Sequence, residues 1–417
     1  MGPATAARVA ATTRTGTTSS LIGTSPSRLA DLVAPTPAAA FLREYCGRRF
    51  FHQAGPPDRF ERLLSWADLN RILEDHRLPA PRLRLARDGG AVAEDLYSRS
   101  HITRRGVTYA VLEPARLREQ LQAGATLVLD GVDQLHGPVR ELAWGLEREL
   151  GERVQVNLYA SWRERQGFGM HWDDHDVLVL QVAGRKRWRV HGMTRAHPLD
   201  RDVALPEEPD GAPVWDGHLE AGGVIHVPRG HWHDAMAGGE PSLHLTVGLV
   251  RPAGVDLLGW LADRLRAEEL YRLDLPRRAS AEERRAHARA LRDALLERWS
   301  DDVLDEFFDW QDAHAEPRPR LTLPWGIVDE RLDDDALVRD TLPRRAPPRP
   351  HPRGVEVRAL GRSWVFAAAA GPMLALTLDG EAHRVADLLA AGDPAGREER
   401  RDLLVYLCRQ DVLAVVR

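Results

Sequence analysis

VQVNLY (154–159), DVLVLQV (176–182), KRWRV (186–190), GVIHV (223–227) and LHLTVGLV (243–250) decide the architecture of this chain. Each run is short, and the first two alternate as strands do when one face is buried and the other is not. Glycine-rich turns such as Ala183-Gly184 and Gly238-Gly239 stand between them. Short strands at this spacing indicate an antiparallel barrel or double-sheet jelly roll. No strand–helix–strand alternation runs through 154–250, which argues against a doubly wound dinucleotide-binding sheet.

The densest chemistry lies directly before the second of these strands, in Gly169-Met170-His171-Trp172-Asp173-Asp174-His175-Asp176. Residues two apart on extended chain share a face, so His171 and Asp173 can aim an imidazole and a carboxylate at one point. Pro228-Arg229-Gly230-His231-Trp232-His233 follows the strand 223–227 and supplies a third ligand, His233, from elsewhere in the same all-β segment. Two histidines and one carboxylate on one face of an octahedron leave three positions open. That set suits a non-haem Fe(II) oxygenase, which must bind a bidentate co-substrate and O₂. On these residues alone, zinc with open positions serving hydrolysis fits as well. His175 and His231 each lie two residues from a ligand and are alternative ligands or supporting groups. His244 reads as a satisfied barrel histidine or a supporting group.

A co-substrate pocket would decide the chemistry, and residues 184–190 offer one. Alternation places Lys186, Trp188 and Val190 on one strand face and Arg185, Arg187 and Arg189 on the other. A barrel interior accepts a lysine when an anion meets it. An inward Lys186 is suited to the distal carboxylate of 2-oxoglutarate, and Asn157, on the same face as Tyr159, would add an amide hydrogen bond. The competing reading leaves Lys186 in solvent among the arginines.

GFGMHWDDHDVLVLQVAGRKRWRVHG (167–192) and VIHVPRGHWHDAMAGGEPSLHLTVGL (224–249) resemble the JmjC-type ribosomal oxygenases, cupin-fold Fe(II)- and 2-oxoglutarate-dependent protein hydroxylases. The likeness is dense across roughly 150–250 and fainter in FLREYCGRRF (41–50) and downstream. It implies iron at His171, Asp173 and His233, 2-oxoglutarate on Lys186 and Asn157, and O₂ as oxidant. It implies a ribosomal protein as substrate, hydroxylated on histidine or arginine, with a biosynthetic peptide, lysine demethylation or non-oxygenase metal chemistry as alternatives. It also implies a helical homodimerisation region and a C-terminal winged helix. The chain departs from the family at Gly222-Gly223, where Gly-Asp is usual, and at Met170, where proline is frequent.

The expected class is therefore α+β: a double-stranded β-helix of the jelly-roll, cupin or JmjC type with helical additions. A disordered tail (1–27) precedes N-terminal helices and the oxygenase domain (28–252). A helical dimerisation region (253–330), a Pro/Arg-rich linker (331–354) and a winged-helix-like module (355–417) follow. Ser65 caps a helix with Asp68 as the capping-box partner, 81–105 is loop-like, and 374–378 reads as a strand. A helix is expected from about 138 to 150. Net charge is only −5 over 417 residues, and 355–417 has no dense basic helix, so no nucleic-acid partner is expected. Cys46 and Cys408 are too few for a disulfide framework and point to a reducing cytoplasm. No run reaches the length of a signal core or membrane span.

Overall fold

In a computed structural model, the structure describes residues 28–165, 167–202, 209–327 and 331–416. The tail expected over 1–27 lies outside them. The chain begins with α1 (Leu29–Val33), α2 (Ala38–Glu44), β1 (Phe51–Gln53) and α3 (Trp66–Asp75). The expected capping box forms: Asp68 N–H donates to Ser65 Oγ at 3.2 Å, and Ser65 N–H donates to Asp68 Oδ2 at 3.0 Å.

The segment read as loop is instead β-structure: β2 (Leu83–Arg87), β3 (Gly90–Val92) and β4 (Ser98–Ile102). β4 pairs with β5 (Thr108–Leu112) as a separate hairpin. Single arginines interrupt Leu83-Arg84-Leu85, and the strand is fixed by its ladder to β6 (Thr126–Leu129) rather than by a strong local pattern. Between β5 and β6 lies α4 (Pro114–Gln122). The expected helix forms as α5 (Gly137–Leu150), closed by Gly151 in the left-handed conformation.

The barrel strands follow: β7 (Arg153–Ser161), β8 (Asp176–Ala183), β9 (Arg185–Val190), β10 (Trp215–Glu220), β11 (Val224–Val227), β12 (His233–Ala237) and β13 (Ser242–Val250). Eight strands form the major sheet in the order β1-β11-β8-β13-β7-β6-β2-β3, and β10-β9-β12 form the minor one. One face of the major sheet, with Leu158, Leu178, Leu180, Leu245 and Val247, packs on N-terminal helices through Leu32, Phe41, Leu142 and Leu146. The opposite face closes on the minor sheet through Val177, Val179, Trp188, Val190, Leu219, Ile225 and Val227. Two antiparallel sheets with a second core between them make the jelly roll anticipated from the strand spacing.

Gly222 shows how tightly this closes. Its φ is +81°, and a Cβ there would lie 1.9 Å from the Pro56 carbonyl oxygen. Only glycine fits where the loop after β1 crosses the turn before β11.

After the barrel come α6 (Gly254–Leu265), the short α7 (Glu269–Arg272), α8 (Ala281–Arg298) and α9 (Val303–His314). Leu257, Trp260 and Leu261 of α6 pack on Val303 and Phe307 of α9. Residues 331–354 are more than a linker. They contain β14 (Leu337–Asp340) and β15 (Arg349–His351), and Leu342 and Ala346 enter the C-terminal core. β15 pairs with β16 (Gly354–Ala359), which pairs with β17 (Arg362–Phe366). The apolar run expected as a strand at 374–378 falls mostly within a helix, α10 (Gly371–Thr377), started by Pro372. β18 (His383–Arg384), α11 (Val385–Leu389), α12 (Arg397–Arg409) and β19 (Leu413–Val416) complete the chain, with β14 between β18 and β19.

This module is fastened to the back of α5. Trp144 Nε1–H donates to the Leu342 carbonyl at 3.0 Å, and Arg148 meets the fully buried Asp340 at 2.7 Å. Arg148, Arg320 and Arg339 stack around the Trp144 ring at 5.1, 5.2 and 4.6 Å. Burial pushes the Asp340 carboxyl up to about 6 even though Arg148 opposes the shift.

Candidate metal centre

Strand pairing assembles the site. His171 and His233 face each other as an isolated backbone bridge: His171 N–H donates to His233 O at 3.1 Å, and His233 N–H donates to His171 O at 2.7 Å. This rung holds the imidazole centroids 4.4 Å apart. Among the described residues, His171, Asp173 and His233 are the group able to hold a metal, with ligand atoms all within 4.8 Å of one another.

Each imidazole is oriented from behind. His171 Nδ1 lies 2.8 Å from the Gly169 carbonyl and His233 Nδ1 lies 3.0 Å from the His231 carbonyl. A nitrogen beside a carbonyl carries the proton, which leaves Nε2 with its lone pair for a metal. His233 Nε2 stands 3.6 Å from Asp173 Oδ2. Burial, then the neighbouring His171, lowers the His233 pKa to about 4 against the pull of Asp173, so its ring is neutral. Two imidazoles and a carboxylate on one side are a donor set that fits Fe(II).

Several residues that set this geometry were not singled out from sequence. Asp176 Oδ1 accepts from Arg229 N–H at 2.8 Å, and its other oxygen pairs with Arg251 at 2.7 Å. The Pro-Arg-Gly turn is thereby tied to the start of β8. Gly230 N–H donates to the Asp173 carbonyl at 2.9 Å, at a φ of +80° that favours glycine. Trp232 Nε1–H donates to Thr194 Oγ1 at 2.9 Å. Spacing alone gives no sign of Arg251 or Thr194, because both reach the site only through the folded chain.

The other two histidines flagged beside the ligands stand apart. His175 Nδ1 sits 2.8 Å from Asp174 Oδ1. His231 contributes its carbonyl to His233, and burial lowers the pKa of its own ring.

Lys186 faces inward. It is 5% exposed and lies between Ala237 of β12 and Leu219 of β10, whereas Arg185 and Arg187 point out. Arg187 pairs with Asp216, and Arg189 pairs with Asp234. Among the described residues no acceptor meets the Lys186 ammonium, and burial lowers its pKa to about 8. A buried cation without a counter-charge is a site built for an anion. Asn157 lies on the same strand face as Tyr159, as expected. Its Oδ1 accepts from Gly131 N–H at 2.9 Å, and its side chain hydrogen-bonds with Tyr159.

Residues 134–257 match the family described as JmjC domain. The metal cluster and strands β7 to β13 lie within the matched residues. The chain is 28% identical over 233 residues to the bifunctional lysine-specific demethylase and histidyl-hydroxylase NO66 of Drosophila persimilis, covering 52% of this chain and 31% of the relative. It is 29% identical over 221 residues to ribosomal oxygenase 1 of Gallus gallus, covering 52% of this chain and 35% of that one. The chain thus spans about a third of the length of these curated relatives. The fold is similar to that of YcfD, a ribosomal oxygenase from Escherichia coli solved with cobalt and 2-oxoglutarate. That similarity has a TM-score of 0.57 at 19% identity over 91% of this chain and 98% of YcfD. It extends beyond the matched residues into the helices and C-terminal module.

Proposed function

We propose that the chain is an Fe(II)- and 2-oxoglutarate-dependent oxygenase that hydroxylates a protein side chain, with histidine or arginine of a ribosomal protein as the leading substrate. The observation that carries this reading is the pairing of a His₂–carboxylate cluster with a buried lysine that lacks a counter-charge. A hydrolase or isomerase built on the same ligands has no need of that lysine. The names of the ribosomal oxygenase relatives support the substrate class.

His171, Asp173 and His233 would hold the iron, which when bound supplies oxidative decarboxylation of 2-oxoglutarate coupled to insertion of one oxygen atom into the substrate. The protein contributes position and environment. Lys186 binds the distal carboxylate of the co-substrate. The Gly169 and His231 carbonyls keep the ligand rings in one tautomer. Asn157 has one amide N–H left to offer a bound acid, since its oxygen is engaged by Gly131 and its other N–H by Tyr159. Burial, with Asp173 adding to it, raises the pKa of Tyr159, so its phenol stays protonated and can donate a hydrogen bond.

Residues 253–330 are assigned to pairing with a second copy. Leu258, Leu296, Trp299, Leu304 and Phe308 are exposed there, and α8 buries none of its residues. Residues 355–417 are assigned as a winged-helix-like module that makes protein contacts. No described helix is long and apolar enough to cross a membrane, and two buried free cysteines suit the cytoplasm. The decisive experiment compares ribosomal proteins from cells with and without the gene by mass spectrometry, searching for a side chain that gains one oxygen atom. Purified protein should release succinate only with Fe(II) present. Absence of both would leave a metal-binding barrel that is not an oxygenase.

A further inference from the structure

Close to the metal cluster stands a second polar group that the reading above does not use. His244, on β13, is 2% exposed. Its ring lies flat on Tyr159, with centroids 4.9 Å apart and planes within 3°, and the Trp188 ring meets it edge-on at 5.7 Å. It is not the satisfied barrel histidine that its sequence position had indicated. Its Nδ1 is buried without a hydrogen-bond partner among the described residues, as is Trp188 Nε1.

Leaving a buried polar group unpaired is costly, and proteins rarely accept that without a ligand or water to satisfy it. Burial holds the His244 pKa well below its usual value, and the Lys186 charge presses it further. Lys186 and Trp188 share the buried face of β9, and Trp188 meets His244, so a cation and a neutral ring stand as neighbours inside the barrel. The flat stack on Tyr159 fixes the plane of the imidazole, so its N–H has a set direction. Trp188 meets both His244 and His233, at 6.0 Å from the latter, which puts His244 one ring away from the metal cluster.

We propose that His244 is a second binding residue for the distal carboxylate of the co-substrate, donating a neutral N–H beside the Lys186 ammonium. This rests on the 2-oxoglutarate reading of the site and deepens it. Lysine supplies charge and His244 supplies direction, so together they select a dicarboxylic 2-oxo acid over shorter acids that reach only the metal.

The test is calorimetric titration of manganese(II)-loaded protein, without oxygen, using 2-oxoglutarate and then oxalate, which chelates metal but has no distal arm. His244→Phe keeps the ring on Tyr159 and removes the N–H. It should weaken 2-oxoglutarate about tenfold, the worth of one hydrogen bond to a charged group, and leave oxalate and manganese affinities unchanged. His244→Asn, which restores a donor, should recover part of the loss. 2-Oxoglutarate binding by His244→Phe within about twofold of wild type, or an equal loss for oxalate, would overturn the proposal. If Lys186→Ala loses 2-oxoglutarate and His244→Phe does not, only the role of His244 falls. If the wild type itself binds no 2-oxoglutarate, the co-substrate reading falls with it.

Discussion

Replacing Lys186 by methionine should make the ligand-free protein more stable at neutral pH while removing the proposed anchor for 2-oxoglutarate. The ammonium is buried between Ala237 and Leu219 without a counter-charge, and its pKa falls from 10.5 to about 8. At 1.36 kcal/mol per unit, that displacement corresponds to a penalty of about 3 kcal/mol on the charged folded state. The sign follows from which state binds the proton more tightly. Below pH 8 the lysine is charged in both states, and the folded state bears the whole penalty. Between pH 8 and 10.5 the folded state releases the proton first, so wild-type stability rises. Above 10.5 both states are neutral and the penalty is gone. Lys186→Met, similar in length and uncharged, has none at any pH. Urea titration followed by tryptophan fluorescence, on protein stripped of metal and 2-oxoglutarate, should find the variant more stable by up to about 3 kcal/mol at pH 7. The gap should close as pH approaches 10.5. A variant less stable than wild type by a constant amount across that range would refute the reasoning, because Lys186 would then be acting as ordinary packing.

The same group sets a pH limit on binding. Affinity for 2-oxoglutarate should fall about tenfold per unit once pH exceeds about 8, because a neutral lysine must be recharged on binding, and calorimetry across pH 7–9.5 measures it. Asp173→Ala should abolish stoichiometric iron binding and succinate release with an unchanged far-ultraviolet circular dichroism spectrum, since Asp173 is only half-buried and outside the apolar cores. Arg148→Met leaves the fully buried Asp340 without its partner. It should loosen the C-terminal module by about 3–5 kcal/mol, seen as faster proteolysis between residues 315 and 335.

The central strands and the three ligands were legible because local pattern and chemistry coincide there. Alternation marks β7 and β9, β8 is an apolar run buried on both faces, and His171, Asp173 and His233 flank strands that the pattern already requires. β10 and β12 were not legible. Trp215-Asp216-Gly217-His218-Leu219-Glu220 buries only Leu219 fully, and His233-Asp234-Ala235-Met236-Ala237 has no apolar stripe. Both are strands because β9 pairs with them on either side. The run 374–378 misled because a short apolar stretch has no period of its own, and Pro372 starts a helix there. Arg251 at the metal turn and the orphaned nitrogen of His244 are tertiary facts. Each depends on what the rest of the fold places, or fails to place, beside a single side chain.

The backbone rung between His171 and His233 has a consequence for how such a protein can diversify. The two ligands are locked by mutual main-chain bonds, so the exposed residues 163–165, which follow β7, stand outside a closed joint. That stretch can be lengthened, shortened or recomposed without re-aiming either imidazole. A change in what the site accepts can be written there while the His171–His233 pair stays in register.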